Sequence, residues 1–177
     1  MRADAAANRA RILAAAHAAF TTDGLDVPLD AIARRAGVGP GTLHRHFPTK
    51  AALLTAAIAV DIDALVAEGQ ALADAAEPAE ALAAFLEMAV QRGAASHALA
   101  ARIAGTVDVA AATAGPAAAL REVMGVLLAR AQAAGGVGAD VTPAALDAVM
   151  AAAHAAFVHP GGGTEVARRV CRSILVA

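Results

Sequence analysis

Tyrosine and tryptophan are absent from these 177 residues, phenylalanine occurs only four times and cysteine once. A β-sheet core draws on aromatic and β-branched side chains, so their scarcity argues against an all-β fold. The lone Cys171 cannot close an internal disulfide, which fits a reducing, cytoplasmic setting as an expectation. A long apolar run is missing too. The longest stretch without Asp, Glu, Lys or Arg, Ala148 to Thr164, contains His154 and His159 and breaks at Pro160-Gly161-Gly162-Gly163. It is too polar and too interrupted to span a bilayer. Met1-Arg2-Ala3-Asp4 leads into further charged residues without the apolar stretch of a signal peptide.

What is abundant is alanine, more than half of the 59% apolar content. Alanine is the best helix former and lets helices approach closely, so the expected fold is all-α. Charge is uneven. Residues 1–50 carry a net charge of +3 and residues 51–177 a net of −5. A positive end on a negative body suits a chain that offers one end to a polyanion.

Helical periodicity accounts for the whole chain with about nine helices and no strand pattern. Ile12, Leu13, Ala16, Ala19 and Phe20 form one stripe of a first helix from about Asn8 to Thr21, stopped by Gly24. A short helix, Leu29 to Ala36, follows Pro28. A third covers Gly41 to His46 after Gly39-Pro40. Thr49 caps a long fourth helix from Lys50 to about Ala73. Further helices are expected from Pro78 to Gly93, from Ser96 to Ile103, from Pro116 to near Gly135, from Pro143 to Val158, and from a Thr164 cap to about Val176. Gly105 to Gly115 reads as a loop or weak helix.

Two short helices joined by Ala36-Gly37-Val38-Gly39 form a helix-turn-helix pattern. Gly37 can take a left-handed conformation without strain, Ile32 and Ala33 face inward, and Val38 plugs the junction. The second helix then presents its N-terminal part, Pro40 to Arg45, to a DNA major groove.

The stretch Ile32-Ala33-Arg34-Arg35-Ala36-Gly37-Val38-Gly39-Pro40-Gly41-Thr42-Leu43-His44-Arg45-His46-Phe47-Pro48-Thr49-Lys50, closed by Leu53, with Phe20 and Gly24 upstream, resembles the TetR-type (tetracycline-repressor-like) family. The resemblance covers about the first third of the chain. It implies a DNA-binding part over residues 6–65, with its motif at about 28–47, and an effector-binding and dimerising helical bundle over 66–177. It implies phosphate contacts from Thr42, His44 and Lys50 and an approach to base edges by Pro40, Gly41 and Arg45. It also puts His46 and Phe47 where the motif locks onto the fourth helix. His46 is equally a packing residue or a DNA contact, and Arg34 and Arg35 equally phosphate ligands or a solvated face. Two departures stand out. His44 replaces the usual tyrosine, which changes reach and pH sensitivity. Pro28 replaces a usual Ser or Thr, which removes a hydroxyl.

The resemblance further implies a homodimer through residues 143–158 and 164–176, where Val149, Phe157, Val166, Val170, Ile174 and Leu175 supply apolar surface. The partners are then a pseudo-palindromic double-stranded operator and a small apolar or amphipathic effector. Phe85, Met88, His97, Arg102, Met124, Met150 and His154 are the candidate pocket residues. The competing reading is an effector-independent helical architectural or interaction protein. No catalytic set, metal site or cofactor motif is expected. His44 and His46, two apart on a helix, face different ways. Gly161-Gly162-Gly163-Thr164 lacks the strand and lysine of a phosphate loop. Cys171 lies in an apolar stripe and reads as a buried small hydrophobe.

Overall fold

The computed structural model describes residues 2–103 and 109–175, with side chains described for 4–93 and 113–175. Among the described residues there are eight α-helices: α1 (Arg2–Thr22), α2 (Leu29–Arg35), α3 (Pro40–His46), α4 (Lys50–Leu72), α5 (Pro78–Ile103), α6 (Val109–Ala133), α7 (Pro143–Val158) and α8 (Thr164–Arg172). The all-α expectation holds. The sole strand-like pairing among them is an isolated antiparallel bridge between Val137 and Leu175. No helix of the described residues is long and apolar enough to cross a membrane.

The count differs from nine because α5 is continuous. Gly93, expected as a stop, lies inside it. A mid-helix glycine costs only about 1 kcal/mol relative to alanine. A Cβ on Gly93 would lie 3.4 Å from Cε1 of His154 on α7, an ordinary contact distance. Pro116, expected to start a helix, is likewise internal to α6. Thr164 does not cap α8. Gly163 does, at φ 114°, a conformation that a Cβ disfavours. The helix ends at Arg172 rather than near Val176.

The chain forms two compact units, Met1–Asp61 with Ala98–Thr113, and Ile62–His97 with Ala114–Ala177. In the first, the α1 stripe of Ile12, Leu13, Ala16, Ala19 and Phe20 is buried, as its spacing predicts. It shares a core with Val27, Ile32, Ala33, Leu43, Phe47, Leu53, Leu54, Ala57 and Ile58. Burying a large apolar side chain stabilises by about 1.5–3 kcal/mol. His17 Nδ1 on α1 lies 3.0 Å from Asp61 Oδ1 on α4.

In the second unit, α5, α6, α7 and α8 enclose Leu82, Phe85, Leu86, Val90, Leu127, Leu146 and Cys171. Small residues set the helix spacing. A Cβ on Gly69 would stand 2.4 Å from Val123 Cγ1 and 2.5 Å from Phe85 Cε2, so α4 meets α5 and α6 with no space for a methyl group. Gly125 on α6 has open space around it. Gly69→Ala is expected to destabilise the chain by about 1–3 kcal/mol through overpacking. Gly125→Ala is expected to stabilise it by about 0.5–1 kcal/mol through helix propensity. Urea unfolding of the two variants checks the opposite signs.

Candidate nucleic-acid interface

α2 begins after Pro28, whose extended backbone (φ −68°, ψ 147°) provides no side-chain cap. It ends in a motif that only a left-handed residue completes. Gly37 adopts φ 64°, its N–H donates to Arg34 O at 3.1 Å, and the Val38 N–H donates to Ala33 O at 3.0 Å. These two bonds satisfy carbonyls that the helix end would leave orphaned. Gly39, extended, then caps α3, with Pro40 in its first turn, where a missing N–H costs nothing. Arg35 pairs with Asp23, and Asp23 also accepts from the Thr22 hydroxyl at 2.9 Å, so the end of α2 is tied to the end of α1.

α3 has two unlike faces. Leu43 is fully buried, and Ile32 and Ala33 of α2 are buried with it. Pro40, Gly41, His44 and Arg45 are exposed, at spacing that puts them on one side of a helix, while Thr42 and His46 are half-buried. The face contains no carboxylate. Among the described residues Arg34, Arg45 and Lys50 enter no ion pair, so three cations remain available.

The exit from α3 is also built. The Phe47 N–H closes on Leu43 O at 2.8 Å while its backbone turns extended, and its ring is 3% exposed. The His46 ring centroid lies 6.3 Å from that ring. Thr49 Oγ1 accepts from the Ala52 N–H at 3.1 Å, the expected cap, and sets Lys50 in the first turn of α4. Arg9 of α1 places its Cζ 5.1 Å from the Phe47 centroid. Sequence reasoning missed this contact, and no local pattern signals it, because the partners are far apart in the chain.

The candidate pocket residues fall into three groups. Phe85 is fully buried and Met124 is 6% exposed within the second unit's core, and Met88 and Met150 pack against that core. The half-buried His154 lies beside Gly93. The side chains of His97 and Arg102 lie outside the described residues.

A second surface lies on α7 and α8. Ala144, Ala148, Ala151 and Ala155 are exposed along one side of α7. They lead to Val158, 56% exposed, and α8 adds Val166 at 43%. Of the residues expected there, Phe157, Val170, Ile174 and Leu175 are half-buried, packed in part against the unit's own core. Arg172 holds α8 to α5. Its Nη atoms meet both carboxylate oxygens of Glu80 at 2.9 and 3.1 Å, and its Nε donates to Glu87 at 2.8 Å. These bonds, Glu80's first, raise its pKa further.

Comparison with known proteins agrees with this geometry. Residues 12–57 match the family model for bacterial regulatory proteins of the tetR family. Residues 77–175 match that for the C-terminal domain of SbtR-like transcriptional regulators. A TetR transcription regulatory protein from Mycobacterium vanbaalenii is 40% identical, with 99% of each chain covered and a TM-score of 0.78. A TetR transcriptional regulator from Streptomyces coelicolor is 32% identical, covering 92% of this chain and 93% of its own, with a TM-score of 0.72. An HTH-type transcriptional regulator from Staphylococcus aureus is 37% identical over 75 residues, 42% of this chain. That match spans only 40% of the Staphylococcus protein's length.

Cys171 is fully buried, and burial together with the nearby Glu87 charge pushes its thiol from 9.0 up to about 11. The folded state therefore favours the protonated thiol. Its contribution to stability is constant below pH 9 and is lost as the pH rises from about 9 to 11. At pH 8 a disulfide-exchange reagent should leave the folded thiol unreacted and titrate one thiol per chain in denaturant.

Proposed function

The chain belongs to the tetR family of bacterial regulatory proteins, and on that premise we propose that it is a DNA-binding transcriptional regulator, a repressor released from a palindromic operator by a small apolar or amphipathic molecule. The observation that carries this reading is the exposed, carboxylate-free face of α3 beside Lys50. Residues 6–65 form the DNA-binding part. Pro40, Gly41 and Arg45 approach base edges in the major groove, while Thr42, His44 and Lys50 meet phosphates. His46, half-buried beside Phe47, borders the same surface.

One recognition helix of seven residues covers little DNA. Two copies related by a two-fold axis read a pseudo-palindrome instead. Residues 66–177 supply the dimer contact through the exposed alanine and valine side of α7 with α8, and they hold the effector among the methionines and His154. An effector releases DNA only if it prefers the non-operator conformation, and a tenfold preference corresponds to about 1.4 kcal/mol. The effector-independent reading is favoured by the enclosure of Phe85 and Met124 as core. A ligand screen that changes neither operator affinity nor melting temperature selects it.

Selection of DNA fragments by the purified chain supplies the operator. Lys50→Ala is then expected to weaken binding to all sequences alike and to lower the salt slope by about one unit. Arg45→Ala is expected to relax preference at one base pair per half-site, costing about 1–3 kcal/mol there through a lost guanine contact. Mutants that behave alike would put Arg45 on a phosphate. Light scattering at micromolar concentration should give twice the chain mass, and Val158→Asp should shift it towards the monomer.

A further inference from the structure

Arg9 is an exposed cation on the first helix that forms no hydrogen bond or ion pair with any described residue. Its one recorded interaction is with the face of Phe47, 5.1 Å from guanidinium carbon to ring centroid. That ring is 3% exposed although it sits at the outer end of a seven-residue helix. A planar guanidinium suits this role, because it stacks on an aromatic face while keeping its N–H groups in water. The same helix brackets α3 at its other end. Arg11, which hydrogen-bonds Asn8, holds its Nη1 3.6 Å from where a Cβ on Gly37 would stand.

Phe47 is where the chain leaves α3 and turns into α4. Its N–H closes the last turn of α3, and Pro48 and the Thr49 cap follow at once. The position of the ring therefore sets how Lys50 stands relative to Arg45, five residues earlier. A base contact and a phosphate contact made together tolerate errors of only about 0.5 Å.

We propose that Arg9 is a positioning residue of the DNA-binding module, acting through the Phe47 ring to hold the α3–α4 junction in register for DNA. The inference rests on the DNA-binding reading above. It gives Arg9 no phosphate or base of its own, and this separates it from Lys50 and Arg45.

The test compares Arg9→Gln, Arg9→Lys and Phe47→Leu in the full chain. In Arg9→Gln the backbone amide resonances of His46, Phe47, Thr49 and Lys50 should move while those of the middle of α1 stay. Operator affinity should fall about two- to fivefold, the range of an exposed cation–π contact. The salt slope on non-operator DNA should not change. Arg9→Lys should restore part of the affinity, and Arg9→Gln should cost nothing further in a Phe47→Leu background. Unmoved amides, or unchanged operator affinity, would overturn the proposal. So would a slope reduced by about one with full rescue by lysine, which means a direct phosphate contact. If Phe47→Leu does not fold, the lysine–glutamine comparison still decides. If the wild-type chain binds no DNA, the preceding section's reading fails, and the amide resonances alone decide whether Arg9 positions the junction.

Discussion

Two helices of seven residues each, α2 and α3, form the exposed face that the functional reading rests on, and helices this short are not stable alone in water. Their existence depends on burial of Ile32, Ala33 and Leu43 in a core shared with the α1 stripe and with Leu53 and Leu54 of α4. The chain must also reverse between them within four residues, and it does so through Gly37 at φ 64°. Every other feature of the surface follows from that arrangement. Once Leu43 is buried, helical spacing turns His44 and Arg45 outward, and Phe47 re-enters the core three residues after His44. The functional face is the reverse side of the packing face.

The second unit meets a different problem. Alanine supplies helix propensity but little apolar area, so a core built mostly of alanine needs close helix approach to exclude water. Gly69 lets α4 settle against Phe85 and Val123. The few large side chains, Phe85, Met124 and Leu127 among them, fill what remains. The Arg172 fork onto Glu80 and Glu87 then links α8 to α5 from the outside. The side of α7 that faces away from this core is left with exposed alanines ending at Val158. A flat side of small residues of this kind permits close contact with another helix.

Much of this was legible in the residues. The α1 stripe, the Gly37 turn, the Thr49 cap and the span Pro143–Val158 all follow from patterns a few residues long. Where expectation and structure parted, a single glycine or proline did not interrupt the helix around it. Gly93 resembled a helix stop, yet α5 runs on through it to Ile103. Pro116 resembled a helix start, yet α6 begins seven residues earlier, at Val109.

The sequence by itself determined the helical class, the positions of most helix ends and the residues able to stand on the outer side of α3. These depend on propensity, spacing and backbone freedom, which act within one or two turns. Only the tertiary structure decided which cations are committed and which are available. Arg35 meets Asp23, Arg172 meets Glu80 and Glu87, and Arg9 lies over Phe47, whereas Arg45 and Lys50 enter no ion pair. The physical reason is that the partners of these three cations lie 12 to 92 positions away along the chain. Nothing in the order of residues along a helix records which distant side chain the fold will bring beside it.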